Sequence, residues 1–270
     1  MIQVLDQVGR LIQLQVYPKR IISVVPSQTE LLFDLGLTEE VVGITKFCVH
    51  PEAWFRQKTK VGGTKTLKLD VIHSLNPDLI IANKEENTQE QIEVLAQQYP
   101  VWISDVVDLQ SAYEMIKSIG SLTNKIEKAG EIISVIQKDF TTIQNEKQST
   151  DPKPRTAYLI WKDPYMTVGG DTFINEMLKA CGLQNVYDHL TRYPLISIDD
   201  LQQANCQILL LSSEPYPFTE KHIAELNTKL PGTKILLADG EILSWYGSRL
   251  LHAAPYFKML LERSRLVHGS

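Results

Sequence analysis

The chain has 270 residues, 43% of them hydrophobic, and a formal net charge of −5 at neutral pH. This length and apolar content suit one or two globular domains. Basic residues are scattered along the chain, which excludes an obvious nucleic-acid surface, and no apolar run approaches the roughly 18 residues of a membrane span.

Residues 1–122 show strands alternating with helices. The first predicted element is a hairpin over 4–16 that turns at Gly9 and Arg10. Compact β-branched runs then alternate with amphipathic segments, which predicts a largely parallel sheet covered by helices. The predicted strands are 21–25, 41–45, 79–82 and 101–103, and the predicted helices are 29–35, 70–75, 88–98 and 109–119, the last ended by Gly120.

The longest periodic segment is 124–147, where apolar residues recur at steps of three and four. A helix of this length spans roughly 35 Å, which is enough to bridge two lobes. The polar stretch 148–155, with two prolines, follows it as a linker. We therefore predict an N-terminal α/β lobe (1–122), a bridging helix with the start of a linker (123–150) and a C-terminal α/β lobe (151–270), with a ligand cleft between the lobes.

The second half repeats the alternation. Strands are predicted at 156–160, 208–211 and 235–238, and helices at 172–180, 221–226 and 247–263, with a kink at Pro255. A weak internal repeat lays 69–81 on 198–210 without a gap, which pairs Asp70 with Asp199. Any helix-to-strand unit could give such a match. We favour the alternative, in which the two lobes are related to each other.

Loops that follow the strands are the candidate binding loops, because ligands of open α/β sheets lie beyond the carboxyl ends of the strands. These loops combine aromatic and charged residues, which suits a large, partly apolar ligand with polar edges. Trp161, Trp245 and Tyr246 fit either a core or a cleft, and their places after strands favour the cleft. The candidate ligand contacts are Ser27, Gln28, Lys46, Lys84, Glu85, Trp161, Tyr165, Tyr216, Trp245, Tyr246 and Arg249.

Cys48 and His50 alternate along an extended segment and could face the same way. Such a pair could bind a soft metal or act as a nucleophile pair, and the alternative is a packing thiol beside a polar histidine. The three cysteines lie far apart, so reduced, buried thiols are predicted rather than disulfides. No dinucleotide fingerprint, phosphate loop or nucleophile elbow is present. The remaining histidines are predicted to be scattered surface residues: His73, His189, His222, His252 and His268.

Four stretches carry a resemblance to a known family, and they span the first lobe. They are Asp6-x-x-Gly9-Arg10, Arg20-Ile21-Ile22-Ser23-Val24-Val25-Pro26-Ser27-x-Thr29-Glu30-Leu31-Leu32, Gly62-Gly63 and Asn76-Pro77-Asp78-Leu79-Ile80. With them the sequence resembles the cluster A-III substrate-binding proteins of ABC transporters, also called helical-backbone metal receptors. Within that family it is most similar to the cobalamin-binding members.

The resemblance implies a monomeric binding protein, not an enzyme, without a cofactor of its own. Its ligand would be cobalamin or another corrinoid, taken up through an ABC transporter. The alternatives are a ferric siderophore or haem binding protein of the same fold, or a cytosolic corrinoid- or metal-handling enzyme that uses Cys48 and His50.

The family pattern also implies that Asp70 and Asp199 dock onto arginines of a membrane permease, although family members commonly carry Glu there. The implied location is periplasmic or membrane-associated. A cytoplasmic location is the alternative, because the first ten residues show neither the basic nor the apolar stretch of an export signal.

Overall fold

The computed structural model describes residues 1–146 and 152–264, so Lys147, the predicted linker residues 148–151 and His268 lie outside the described residues. Its strands are β1 (Ile2–Leu5), β2 (Leu11–Leu14), β3 (Ile21–Ser23), β4 (Val41–Ile44), β5 (Thr59–Lys60), β6 (Leu79–Asn83), β7 (Val101–Ser104), β8 (Arg155–Leu159), β9 (Gln184–Asn185), β10 (Ile208–Ser212) and β11 (Lys234–Ala238). Its helices are α1 (Pro26–Asp34), α2 (Glu52–Gln57), α3 (Leu69–Leu75), α4 (Gln89–Ala96), α5 (Leu109–Leu122), α6 (Ile126–Glu146), α7 (Phe173–Cys181), α8 (Ile198–Gln203), α9 (Glu220–Lys229), α10 (Gly240–Ser244) and α11 (Ala253–Ser264), with a 3₁₀ helix at Ser248–His252. None of the described helices combines the length and the apolar character needed to cross a membrane.

The chain forms two compact units that are not contiguous in sequence. Unit 1 comprises Met1–Val135 and Tyr246–Arg249, and unit 2 comprises Ile136–Trp245 and the chain from Leu250 onward. Helix α6 therefore begins in unit 1 and ends in unit 2. The predicted domain boundaries, after residues 122 and 150, stay a prediction.

Each unit contains one parallel sheet. The strand order is β5-β4-β3-β6-β7 in unit 1 and β9-β8-β10-β11 in unit 2. Helices connect successive parallel strands, as parallel pairing requires. The predicted α/β class is confirmed, with two sheet-and-helix units and one long helix running from one into the other. The predicted ligand cleft between the lobes stays a prediction.

The strand orders locate the switch point of each sheet. In unit 1 the chain builds outward from β3 to β4 on one side and later to β6 on the other. In unit 2 it builds from β8 to β9 on one side and to β10 on the other. The crevices where ligands bind in open α/β sheets therefore lie at the loops after β3 and β6 in unit 1, and after β8 and β10 in unit 2.

The internal repeat has a structural counterpart. Asn76 and Asn205, which the repeat pairs, both lie in the left-handed region, with φ of 42° and 49°. Each follows a short helix and precedes a buried strand, and Leu79 and Ile208, also paired by the repeat, are the first residues of those strands.

An arginine also occupies the same place in both units. The guanidinium of Arg20 donates to the carbonyl of Leu75 at 2.8 and 2.6 Å, and that of Arg155 donates to the carbonyl of Ala204 at 3.2 and 2.7 Å. The repeat pairs Leu75 with Ala204. Both arginines therefore satisfy a carbonyl at the end of the short helix, where intrahelical partners run out.

The apolar stripe predicted for the long helix is buried over most of its length. Buried positions alternate at steps of three and four along α6, which confirms the helical period, whereas Ile126 at its start is exposed. Phe140 packs edge-on against Phe257, with ring centroids 6.0 Å apart. The buried residues of the stripe are Ala129, Ile132, Ile136, Phe140 and Ile143.

The prediction that Gly120 ends its helix is wrong. Helix α5 continues to Leu122, and Gly120 lies where α5 meets α6. A Cβ at Gly120 would lie 2.5 Å from the Cβ of Ala129, so the glycine permits close packing of the two helices. Its role is tertiary, which a local helix-stop rule does not detect.

The predicted helix over 247–263 is also wrong in its first third. Gly247 has a φ of +108°, which an α-helix does not accommodate, and the chain then forms a 3₁₀ helix before α11 begins at Ala253. Pro255 lies in the first turn of α11, where a proline causes no kink because its missing N–H has no intrahelical partner. The short elements β5, α2, β9 and α10 were not predicted.

Candidate functional site

Helix α1 begins directly after β3, at the switch point of unit 1. Pro26 occupies its first position, where the missing N–H costs nothing. Ser27 and Gln28 lie in the first turn and are both buried. The Gln28 amide donates to the hydroxyl of Ser104 at the end of β7. These two predicted ligand contacts therefore lie at the carboxyl edge of the sheet, and Gln28 also links two strand ends.

A buried asparagine holds the loop after β6. The Asn83 side-chain oxygen accepts from the backbone N–H groups of Glu85 and Glu86 at 2.8 and 2.9 Å. Its amide donates to the Ser104 hydroxyl at 2.9 Å. This network shapes the loop that carries Lys84 and Glu85, two more predicted ligand contacts. Lys84 itself forms an ion pair with Asp105.

The loop after β4 exposes an aromatic ring that was not among the predicted contacts. Phe47 is 50% exposed, and the ammonium group of the predicted contact Lys46 lies 5.0 Å from its ring centroid. A Cβ at Gly63 would lie 3.1 Å from the Phe47 ring, so the glycine leaves space for it. The rule that aromatic residues after strands line binding sites would have selected Phe47.

Cys48 and His50 do not form a shared surface. Cys48 is buried, and its thiol lies 3.1 Å from the hydroxyls of both Thr29 and Thr45. Burial raises the pKa of this thiol, which disfavours the thiolate needed by a metal or by a nucleophilic mechanism. His50 is partly exposed. Within residues 1–146 and 152–264 no group of three or more His, Cys, Asp or Glu side chains could hold a metal ion, so the geometry does not favour the predicted metal pair.

All three cysteines are buried, as predicted. Cys48, Cys181 and Cys206 form no disulfide in the part of the chain that the structure describes.

The segment Tyr246–Arg249 completes unit 1. Gly247 lies against Ser27 and Leu31 of α1, and Tyr246 is buried. The guanidinium of Arg249 meets the carboxylate of Glu30 in a two-pronged ion pair, with N–O distances of 2.9 and 2.7 Å. Burial raises the pKa of Glu30, and the charge of Arg249 opposes that shift. Arg249, a predicted ligand contact, is therefore already neutralised by a carboxylate.

In unit 2 the loop after β8 carries an exposed tryptophan. Trp161 pairs with Met166 in an isolated bridge that closes the loop tightly, and its side chain is 42% exposed. Its ring meets Tyr216, from the loop after β10, edge to face at 5.7 Å. Tyr216 in turn contacts Phe218 at 4.7 Å between centroids. We call Trp161, Tyr216, Phe218 and His222 the aromatic cluster.

The structure thus unites two predicted contacts, Trp161 and Tyr216, at the switch point of unit 2. Tyr165, from the same loop as Trp161, is half-buried and packs on the core of the unit. His222 is buried inside the aromatic cluster, so the prediction that it is a surface residue is wrong. Its apolar neighbours come from a loop before its own helix, a contact that the sequence pattern of the helix does not reveal.

Trp245 occupies a buried rather than an exposed position, with 7% of its surface accessible. Its indole N–H donates to the carboxylate of Glu214 at 2.7 Å, and the Ser244 hydroxyl donates to the same oxygen at 3.0 Å. Burial raises the pKa of Glu214, and these two hydrogen bonds oppose the shift. Glu214 was not predicted, although it lies in the loop after β10.

The two aspartates predicted to dock onto a permease occupy equivalent places. Asp70 is the second residue of α3, and Asp199 is the second residue of α8. Both are exposed. Their docking role stays a prediction.

Comparison with known proteins places this chain in a family. A family model described as periplasmic binding protein matches residues 21–230. The chain belongs to this family of solute-binding proteins.

Named relatives agree with that assignment. The chain is 28% identical over 212 residues to a vitamin B12-binding protein of Vibrio vulnificus (strain CMCP6), covering 74% of each chain. Among solved structures, it is similar to a periplasmic vitamin B12 binding protein of Vibrio cholerae, with a TM-score of 0.74, 21% identity, and coverage of 90% of this chain and 98% of the other. A periplasmic haem-binding protein from Roseiflexus sp. RS-1 gives a TM-score of 0.80 at 20% identity, covering 92% and 100%. At these identities the solved structures support the fold alone.

Proposed function

We propose that this chain binds a metal chelate, cobalamin or another corrinoid, and presents it to the permease of an ABC transporter. The observation that carries the proposal is the exposed Trp161 supported by Tyr216 at the switch point of unit 2. An exposed aromatic ring held by a second ring offers a flat apolar surface, which suits a macrocycle. Membership in the solute-binding family and the names of the relatives support the same reading.

The charges of the strand-end loops favour a ligand with little net charge. Two basic side chains of these loops already face carboxylates, Lys84 facing Asp105 and Lys162 facing Glu225. Arg249, in the 3₁₀ helix Ser248–His252, faces Glu30. An anionic ferric siderophore, or the propionates of haem, would compete with these carboxylates. A corrinoid offers neutral amide edges, which polar groups such as Ser27, Lys46 and Glu85 could meet by hydrogen bonds.

The protein need not coordinate the metal of the chelate. The metal of a corrinoid is held by the macrocycle, so the buried and protonated thiol of Cys48 presents no obstacle. The chain would act by binding rather than by turnover, with no cofactor of its own. Its place would be periplasmic or at the membrane, and the exposed Asp70 and Asp199 would contact the permease.

Calorimetric titration with cyanocobalamin, haemin and a ferric siderophore tests the proposal. We expect saturable one-to-one binding of cyanocobalamin and weaker or no binding of the other two. Trp161→Ala should weaken cyanocobalamin binding by about 30-fold, the cost of removing a central aromatic contact. Tyr17→Ala is the matched control, since Tyr17 is similarly exposed but follows the N-terminal hairpin.

Preferential binding of haemin or the siderophore would overturn the corrinoid assignment and identify that chelate as the ligand. Absence of binding for all three would overturn the proposal.

A further inference from the structure

His222 belongs to the aromatic cluster and is only 4% exposed. Its ring meets Tyr216 at 5.5 Å and Phe218 at 5.3 Å, both nearly edge to face. It is also the third residue of α9, the place where a capping box ordinarily has Glu or Gln. His222 therefore contacts both the first turn of α9 and the rings of Tyr216 and Phe218.

The hydrogen bonds of His222 determine which of its nitrogens carries the proton. The backbone N–H of Thr219 lies 2.9 Å from Nδ1, and a backbone N–H can only donate. Nδ1 must therefore accept, and the neutral ring carries its proton on Nε2. Nε2 lies 3.3 Å from the Tyr216 hydroxyl oxygen, which makes Tyr216 the acceptor of this second bond.

This arrangement leaves the proton of the Tyr216 hydroxyl for another partner. A tyrosine hydroxyl has one proton to donate, and its oxygen is already used by His222. Within residues 1–146 and 152–264, no side chain or backbone oxygen accepts that proton. Tyr216 is half-buried beside the exposed Trp161, so the donor belongs to the surface proposed to meet the ligand.

We propose that His222 is a positioning residue that fixes Tyr216 as a hydrogen-bond donor to an acceptor oxygen of the bound chelate. The inference rests on the proposed function and adds a requirement to it. The ligand must present an acceptor, such as an amide carbonyl, beside the face that packs on Trp161. A ligand group that can only donate would find no partner at Tyr216.

Two substitutions of similar size separate this role from helix capping. In both His222→Gln and His222→Glu a side-chain oxygen can accept from the Thr219 N–H, as in ordinary capping boxes. Only Gln also retains a donor for the Tyr216 oxygen, whereas an ionised Glu would accept a hydrogen bond from the Tyr216 hydroxyl and so occupy its proton. In titrations with cyanocobalamin, we expect His222→Gln to bind within about twofold of the wild type and His222→Glu to bind about fivefold to tenfold more weakly.

A double substitution tests whether His222 acts through Tyr216. In a Tyr216→Phe background the difference between His222→Gln and His222→Glu should disappear, because the hydroxyl is gone. Equal binding by the two variants, or a difference that persists without the hydroxyl, would overturn the proposal.

A spectroscopic measurement on the unsubstituted protein keeps the inference testable if the variants fold poorly. Histidine ¹⁵N chemical shifts should give the Nε2–H tautomer for His222, whose ring signals are assigned by through-bond experiments on the unsubstituted protein. The Nδ1–H tautomer would overturn the proposal. Failure of the wild type to bind any chelate would instead count against the proposed function, so the two failures are distinguishable.

Discussion

The carboxyl ends of the two sheets have the same framework but different chemistry. In unit 1 buried amides and hydroxyls, centred on Asn83, fix the loops by hydrogen bonds. In unit 2 the corresponding position holds rings in edge-to-face contact, with Trp161 exposed. The helix-to-strand frame, including its arginine and left-handed asparagine, is shared. The same helix-to-strand unit therefore supports both sheets, whereas the side-chain chemistry of the loops beyond the strands differs between the two units.

Removing the polar network of unit 1 should have the largest effect. Asn83→Ala would remove the acceptor of the half-buried Glu85 and Glu86 N–H groups and one of the two amide donors to the buried Ser104 hydroxyl. We expect a loss of about 3 kcal/mol in the free energy of unfolding, measured by urea denaturation. Gln13→Ala, which removes an exposed amide from β2, is the control and should cost less than about 0.5 kcal/mol. A loss for Asn83→Ala as small as that of the control would contradict this account.

Two half-buried glutamates, Glu30 in unit 1 and Glu214 in unit 2, should respond oppositely to loss of charge. Glu30→Gln removes the carboxylate that faces Arg249, and we expect it to destabilise the protein by about 2 kcal/mol at neutral pH. Glu214→Gln keeps an acceptor for Trp245 and Ser244 while removing a buried charge, so it should raise the melting temperature at pH 8.

The pH dependence of the Glu214→Gln effect follows from the sign of the pKa shift. Burial raises the pKa of Glu214 above the ordinary value of 4.5, so the folded state binds the proton more tightly than the unfolded chain. Its unfavourable contribution is absent below pH 4.5 and grows as the pH rises through the raised pKa. Thermal unfolding at pH 4 should therefore show no gain from Glu214→Gln. A gain of equal size at pH 4 and pH 8 would refute the charge explanation.

The smallest loss in the free energy of unfolding is expected for substitution of Arg20 or Arg155, the two arginines that bond to the ends of α3 and α8. Arg20→Gln and Arg155→Gln each remove the guanidinium bonds to the end of a short helix, and each should cost about 1 kcal/mol in urea denaturation. Similar costs would support equivalence of the two frames. If one substitution were neutral and the other costly, the correspondence would be only geometric.

Much of the fold was predictable because it follows from local patterns. β-branched runs identified the main strands, and the period of apolar residues identified α6. The alignment of 69–81 with 198–210 anticipated a real correspondence, down to the left-handed Asn76 and Asn205. These features depend on residues near one another in the chain, where sequence patterns are informative.

The candidate site was predictable only in its location. The rule of strand ends selected the loops with Trp161 and Tyr216, but not which side chains are exposed. Trp245 is buried with its indole N–H on Glu214, and His222 is buried against Tyr216 and Phe218 of the loop before its own helix. Gly120 has its role through Ala129 of the next helix. Trp245 depends on a partner distant in the chain, Gly120 on the next helix, and His222 on the path of the loop before its helix, and the spacing of residues encodes none of these.

The return of the chain to unit 1 at Tyr246–Arg249 has a consequence for biosynthesis. The first 135 residues are synthesised before residues 136–245, so Glu30 of nascent unit 1 can meet Arg249 only after that whole intervening segment has been made. N-terminal domains generally fold first during synthesis. Here the first unit reaches its final form only after the sheet of the second has been synthesised, so its completion reports that translation has passed residue 249.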